Sequence, residues 1–75
     1  MRALTVKQIQ PLVEKHIERY SQRLELAKRG VPTYTMESKK YLDLWLGIKA
    51  KGCNWTKMTK AEQWEAEEAY DDENG

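Results

Sequence analysis

Apolar residues recur at intervals of three and four positions over the first third of the chain. At 100° per residue they fall on one stripe, which is the pattern of an amphipathic helix. The stripe consists of Val6, Ile9, Leu12, Val13, His16, Ile17, Tyr20, Leu24 and Ala27. Thr5 and Gln8 have the spacing of a capping box, and Gly30 follows the last periodic turn as its terminator. The pattern predicts a first helix over residues 5–29.

Proline at position 11 interrupts this helix, because its ring clashes with the carbonyl oxygen of Lys7. Two outcomes are open at this point. Either the helix kinks at Pro11, or a first turn ends there and the main helix begins with Pro11 at its first position.

The second predicted helix, over residues 35–51 between Thr35 as N-cap and Gly52 as terminator, is apolar around more than half of its circumference. One face carries Tyr41, Leu44, Trp45 and Ile48, and a second face, displaced by about 120°, carries Leu42 and Leu46. A helix of this kind has to be contacted from two sides. We therefore expect an antiparallel hairpin with the first helix and a two-fold dimer that buries Leu42 and Leu46.

The third helix is predicted over residues 59–70, where Thr59 and Glu62 have the spacing of a second capping box. Its apolar residues form no stripe, because Trp64 and Ala66 point to nearly opposite sides. Acidic residues oppose the dipole at a helix C-terminus, so the end is expected to fray into an acidic disordered tail over residues 71–75. Residues 1–70 then form one all-α domain, in which the third helix packs across the hairpin.

The chain has 75 residues and therefore hides only roughly 60% of the surface that its unfolded form exposes. Such a core supplies about 3–5 kcal/mol without further bracing. Cys53 is the single cysteine and His16 the single histidine, so neither an internal disulfide nor a four-ligand zinc site can form. We expect no metal and no cofactor, and the remaining brace is a second copy or a partner.

The sequence has neither a secretory signal nor an apolar run long enough for a membrane span, since the longest aliphatic and aromatic run is residues 44–46. A cytoplasmic protein without a membrane partner is expected. In size and style the chain is similar to the short accessory proteins of bacteria and their phages, although no motif carries this likeness.

Charge is divided sharply along the chain. Residues 1–60 hold all thirteen basic residues and five acids, a net charge of +8, whereas residues 61–75 hold seven acids and no base. A metal or acid–base site among these acids is disfavoured, because no second histidine and no apolar setting accompany them. A solvated acidic face is the simpler interpretation, and an acidic strip that engages a basic partner surface is the alternative.

Three tryptophans and four tyrosines without any phenylalanine are the most unusual feature of the composition. Trp45 has good helical phase and is expected in the core. Trp55 and Trp64 either pack together and close the small core or remain exposed as binding anchors, since tryptophan is enriched at binding hot spots. The predicted partner-binding residues are Tyr41, Leu42, Trp45, Leu46, Trp55, Trp64, Glu65 and Glu68.

His16 lies in the middle of the apolar stripe, where a histidine at the edge of the core, hydrogen-bonded to a neighbour, is expected over a pH-sensitive role. A nucleophilic pair of Cys53 and His16 is disfavoured, because nothing in the spacing supplies a cleft or an orienting group. Cys53 is expected to be a small, semi-buried loop residue.

These features favour a non-catalytic protein–protein interaction module, an adaptor or inhibitor of another macromolecule, over an enzyme. The alternative is a nucleic-acid-binding regulator that uses basic clusters at the two ends of the hairpin. These clusters consist of Lys28, Arg29, Lys39, Lys40, Lys57 and Lys60. The alternative is weaker because the second helix is apolar where a recognition helix is polar, and because the acidic segment competes with phosphate.

Overall fold

The computed structural model describes residues 3–32 and 35–74, and its first helix, α1, spans Val6–Lys28. The predicted capping box is confirmed, since the Gln8 amide donates to Thr5 Oγ1 at 3.2 Å and the Thr5 amide donates to Gln8 Oε1 at 2.8 Å. Pro11 lies inside this helix, so the alternative prediction of a separate helix that begins at Pro11 is wrong. Only one turn precedes the proline, and the capping box together with burial of Leu4 and Ile9 holds that turn in place.

Glycine ends each helix of the hairpin by adopting positive φ, which is 87° at Gly30 and 67° at Gly52. After α1, the amides of Gly30 and Val31 donate to carbonyl oxygens of the last helical turn. The amides that follow the second helix donate in the same way. Both predicted terminators therefore close their helices with a Schellman motif.

The second helix, α2, spans Thr35–Ala50 and packs antiparallel on α1. The register is fixed by two ring contacts, His16 on Trp45 with centroids 4.5 Å apart and Tyr20 on Tyr41 at 5.7 Å. Trp45 is fully buried, as its helical phase predicted. The second apolar face of α2 is only partly covered. Leu42 is half-buried on the core, whereas Leu46 remains 43% exposed.

A short 3-10 helix, Trp55–Lys57, leads into the third helix, α3, which spans Lys60–Asn74. The helix ends four residues later than predicted, and residues 71–74, expected to be a disordered tail, are helical. Two contacts of this end oppose fraying. The Lys15 ammonium pairs with the Glu73 carboxylate, and the Asn74 side chain donates to the Tyr70 carbonyl oxygen at 2.9 Å.

α3 packs across both helices of the hairpin, so the described residues form one all-α, three-helix domain around one core. On α1 the Gln8 side chain donates to the Tyr70 hydroxyl at 3.2 Å, and on α2 the Lys51 ammonium pairs with Glu62. Within residues 3–32 and 35–74, no helix combines the length and the apolarity that a membrane span requires.

Candidate functional site

Six large apolar side chains are exposed in the described part of the chain. They are Val6, Leu26, Val31, Met36, Leu46 and Trp64. Five of them are not aromatic, and some exposure of such side chains is normal for a small domain. Trp64 differs because a tryptophan that is 59% exposed leaves much of a large aromatic ring in water.

The inner face of α3 determines that Trp64 points outward. Glu62, Ala66 and Ala69 are buried against the hairpin. Since each residue advances the helix by 100°, Trp64 lies about 160° around the helix from Ala66. Once the alanines are seated on the core, the indole has to project from the opposite side.

Trp64 borders a shallow depression of about 310 Å³ on this outer side. Of the residues that the structure describes, Glu67, Glu68 and Asp71 also line it. They follow Trp64 by three, four and seven positions and therefore share its helix face. We call this surface, formed by Trp64, Glu67, Glu68 and Asp71, the Trp64 face. It places one aromatic ring among three carboxylates.

Glu62 holds the beginning of α3 on the hairpin. Its carboxylate accepts from the Thr59 amide at 2.8 Å and pairs with Lys51. Burial alone would raise the pKa of Glu62, but the hydrogen bonds from Lys51 and Thr59 outweigh that effect and lower it. A Cβ atom on Gly47 would lie 2.7 Å from Glu62 Oε2, so the absence of a side chain there lets the carboxylate approach α2.

Glu65 and Glu68, both predicted as binding residues, are separated by the structure. Glu68 is exposed on the Trp64 face, whereas Glu65 is half-buried on the side of α3 that interacts electrostatically with Tyr20. Burial raises the pKa of Glu65, and the like charges of Glu68 and Asp72 raise it further. The charged form of Glu65 is therefore disfavoured beside the hairpin, and Glu65 does not line the depression.

The aromatic residues predicted to bind a partner divide in the same way. Trp45 is fully buried and Tyr41 is half-buried in the ring stack with Tyr20, so the core uses both. Trp55 is half-buried against the core, and its carbonyl oxygen accepts from the Gln63 side chain at 2.9 Å. Only Trp64 among the three tryptophans has the exposure of an anchor.

His16 and Cys53 make different contacts. His16 Nδ1 is 2.8 Å from the Leu12 carbonyl oxygen, as expected for a histidine at the edge of the core, and burial lowers its pKa. Cys53 is buried after Gly52 with a φ of 57°, and burial raises the pKa of its thiol. A raised thiol pKa reduces the thiolate fraction that a nucleophile needs.

The six basic residues of the nucleic-acid alternative are all exposed. Lys28 and Arg29 end α1 and Lys39 and Lys40 lie early in α2, at one end of the hairpin, and Lys57 and Lys60 flank the start of α3. Lys40 lies over the Tyr41 ring at 5.9 Å, and Arg29 is 4.0 Å from Glu25.

Sequence reasoning missed Glu67 and Asp71 as members of the surface. Their spacing from Trp64 was the available signal, but it acquires meaning only when Trp64 is known to point outward. Within the described residues no group of three histidine, cysteine, aspartate or glutamate side chains is arranged to hold a metal ion.

No family model, no curated protein and no solved structure matches the chain.

Proposed function

We propose that the protein is a non-catalytic interaction module, an adaptor or inhibitor of another macromolecule, and that it contacts its protein partner through the Trp64 face. The observation that carries the proposal is the exposed indole of Trp64 on a helix whose opposite side is seated on the core. An aromatic ring in this position is ready to enter a pocket without rearrangement of the chain.

Energetics favour Trp64 as the main anchor. Truncation of a tryptophan at the centre of an interface costs about 2 kcal/mol or more, and a tryptophan side chain has only two rotatable bonds to immobilise. The carboxylates beside it contribute less to affinity than to the rate and specificity of association, because charged groups at the rim of an interface act mainly by steering.

The test is partner capture by Trp64→Ala, with Met36→Ala as the matched control. Met36 is 89% exposed on α2, so its truncation also removes a large exposed apolar side chain. We expect Trp64→Ala to lose at least about tenfold in capture of the partner from source-cell extract, and Met36→Ala to bind as the unsubstituted protein does. Circular dichroism checks that both variants stay helical. Equal capture by the two variants would remove the proposal.

We further propose that two copies associate through the side of α2 that carries Leu42 and Leu46. Leu46 is 43% exposed next to the half-buried Leu42, and this surface lies on a different helix from Trp64. A two-fold pairing would bury each leucine against the second copy.

Sedimentation equilibrium at tens of micromolar tests this association. We expect a dimer mass for the unsubstituted chain and a monomer mass for Leu46→Glu. Met36→Glu, which adds the same charge to the same helix, should remain dimeric. A monomer mass for the unsubstituted chain contradicts the association, and a dimer mass for Leu46→Glu moves it to another surface.

Regulation by nucleic-acid binding is the weaker alternative. The basic residues are exposed, but the acidic α3 lies on the hairpin and pairs with its Lys15 and Lys51. Binding through several phosphates has to weaken steeply with salt. A gel-shift series from 50 to 200 mM salt that shows no complex even at the lowest concentration would exclude this class.

A further inference from the structure

We infer that the connecting end of the α1–α2 hairpin docks on an anionic phospholipid bilayer, with its exposed apolar side chains among the lipids and its basic side chains on the headgroups. We call this end the hairpin tip, and it is formed by Leu26, Lys28, Arg29, Val31, Met36, Lys39 and Lys40. The sequence predicts no membrane partner, because it has no apolar run long enough to span a bilayer. A contact at the bilayer surface needs no such run.

The hairpin tip carries three of the six large apolar side chains that are exposed within the described residues. Leu26 and Val31 are neighbours in space, because the Val31 amide donates to the Leu26 carbonyl oxygen at 3.0 Å in the turn that ends α1. Met36 lies in the first turn of α2 and is 89% exposed. Single exposed apolar residues are ordinary, but several of them at one end of a molecule indicate an interaction surface.

Four exposed basic residues accompany these apolar side chains, namely Lys28, Arg29, Lys39 and Lys40. The first pair follows Leu26 at the end of α1, and the second pair lies three and four positions after Met36 and shares its face of α2. Arg29 is 4.0 Å from Glu25 in an exposed pair, which holds the guanidinium group only weakly. Residues 23–40 hold five bases and two acids, a net charge of +3 that attracts an anionic surface.

The acids through which α3 contacts α1 lie away from the hairpin tip. Glu73 pairs with Lys15, and Glu65 interacts electrostatically with Tyr20. Lys28 follows these two residues of α1 at a distance along the helix of about 20 Å from Lys15 and about 12 Å from Tyr20. Exposed charges separated by more than about 8 Å are largely screened at physiological salt, so these acids do not neutralise the tip.

The combination of apolar and basic side chains favours a bilayer over a nucleic acid. Phosphates of a nucleic acid would pair with the basic residues but would give Leu26, Val31 and Met36 no apolar contact. A bilayer receives both kinds of side chain, because apolar groups enter the boundary of the acyl chains while lysine and arginine stay at anionic headgroups.

The shape of the molecule also suits a bilayer. The molecule measures 39 × 25 × 17 Å, and its long dimension matches the length of about 35 Å that α1 has as a helix of 23 residues. The hairpin tip is therefore a narrow, projecting end. A fluid lipid surface can receive such an end without a pocket of matching shape.

Flotation of the full chain with phospholipid vesicles tests the inference. The vesicles consist of phosphatidylcholine alone or of phosphatidylcholine with about 30% phosphatidylserine. We expect the chain to bind the anionic vesicles at least about tenfold more tightly, and this binding should weaken as salt is added. Binding of equal strength to both kinds of vesicle, or binding to neither, would overturn the inference.

Two charge-matched variants assign the binding to the tip. The first combines Lys28→Gln, Arg29→Gln, Lys39→Gln and Lys40→Gln. The control combines Lys7→Gln, Lys49→Gln, Lys57→Gln and Lys60→Gln, which are four exposed lysines outside the tip. The first variant should lose at least about tenfold in affinity for the anionic vesicles and the control less than about threefold. Equal losses would indicate general attraction of a basic chain and would contradict docking through the tip.

Insertion of the apolar side chains has a separate readout. Met36→Cys in a Cys53→Ala background carries a nitrobenzoxadiazole label, and Val6→Cys in the same background is the control, since Val6 is exposed at the start of α1. Circular dichroism checks that both stay helical. We expect anionic vesicles to raise the fluorescence at position 36 severalfold and to leave position 6 unchanged. Unchanged fluorescence at both positions would show that the tip does not insert, and the inference would be wrong.

A nucleic acid is the competing occupant, and the same variants detect it. If a single-stranded oligonucleotide binds the unsubstituted chain but not the tip variant, while neither kind of vesicle binds, the tip takes phosphates of a nucleic acid and the inference is wrong. None of these measurements depends on Trp64 or on capture of a protein partner. The inference and the proposed function therefore fail independently.

Discussion

Trp45 and Trp64 show how one residue type takes two roles in a chain of this size. Trp45 stacks on His16 and is fully buried, whereas Trp64 stands on the far side of α3 and is 59% exposed. Helical phase predicted the first position, because Trp45 shares a face with Tyr41 and Ile48. Helical phase could not predict the position of Trp64, because the buried face of α3 consists of two alanines and a glutamate, which form no apolar stripe.

Glu65 offers a test at the residue scale, because the folded protein disfavours the charged form of its carboxyl group. Burial and the charges of Glu68 and Asp72 raise the pKa of Glu65 above its ordinary value. A carboxyl with a raised folded pKa costs stability at pH values above that pKa, and the cost disappears as the pH falls to the unfolded pKa. We therefore expect Glu65→Gln to unfold at a higher temperature than the unsubstituted protein at pH 7.

Thermal unfolding at pH 7 and pH 4 measures this effect, with Glu14→Gln as the control. Glu14 is an exposed acid of α1, and its substitution should change stability by less than about 0.5 kcal/mol. The gain from Glu65→Gln should shrink at pH 4, where the carboxyl is largely protonated in both states. A lower unfolding temperature for Glu65→Gln at pH 7 would show that Glu65 is a stabilising partner of the hairpin instead.

At the scale of the helices, local signals predicted two capped beginnings and two glycine-terminated ends, but not the end of α3. The two capping boxes and the two glycine terminators act within a few residues, so the sequence is sufficient to identify them. The end of α3 is different, because Glu73 pairs with Lys15, a residue 58 positions away. No pattern within residues 61–75 contains that information, and the acids alone predicted fraying.

The capping box of α3 gives a prediction at this scale. Thr59→Ala removes the Oγ1 atom to which the Glu62 amide donates at 3.2 Å and should cost about 1 kcal/mol. Hydrogen exchange should then accelerate at the first amides of α3. Thr5→Ala, which breaks the equivalent box of α1, should accelerate exchange at the first amides of α1 and leave α3 unchanged. Uniform acceleration in both variants would contradict local capping.

For the molecule as a whole, the division of charge along the chain was evident from the sequence, but its arrangement in space was not. The basic hairpin and the acidic α3 meet through Lys15 and Lys51 on one side of α3. The other side presents Trp64 among carboxylates. The side of α3 that faces inward is determined by the packing of Ala66 and Ala69 against the core. A helical wheel without an apolar stripe cannot predict this packing.

Leu46 also shows that the sequence alone does not determine which apolar surfaces the packed helices cover. The sequence indicated that α2 is too apolar for a hairpin to cover, and the structure leaves one leucine of the second face 43% exposed. α3 contacts α2 beside Gly47 and Lys51 through Glu62. The exposed apolar surface of α2 is therefore smaller than the sequence indicated. Among the described residues, the largest exposed apolar side chain is Trp64 on α3.

Hydroxyl-radical footprinting of the free and the partner-bound protein examines the Trp64 face most directly. In the free chain we expect Trp64 and Met36 to be oxidised and Trp45 to be spared. In the complex with its partner, oxidation of Trp64 should fall severalfold while that of Met36 stays constant. Equal oxidation of Trp64 in both states, with protection at another surface, would contradict a partner contact through α3.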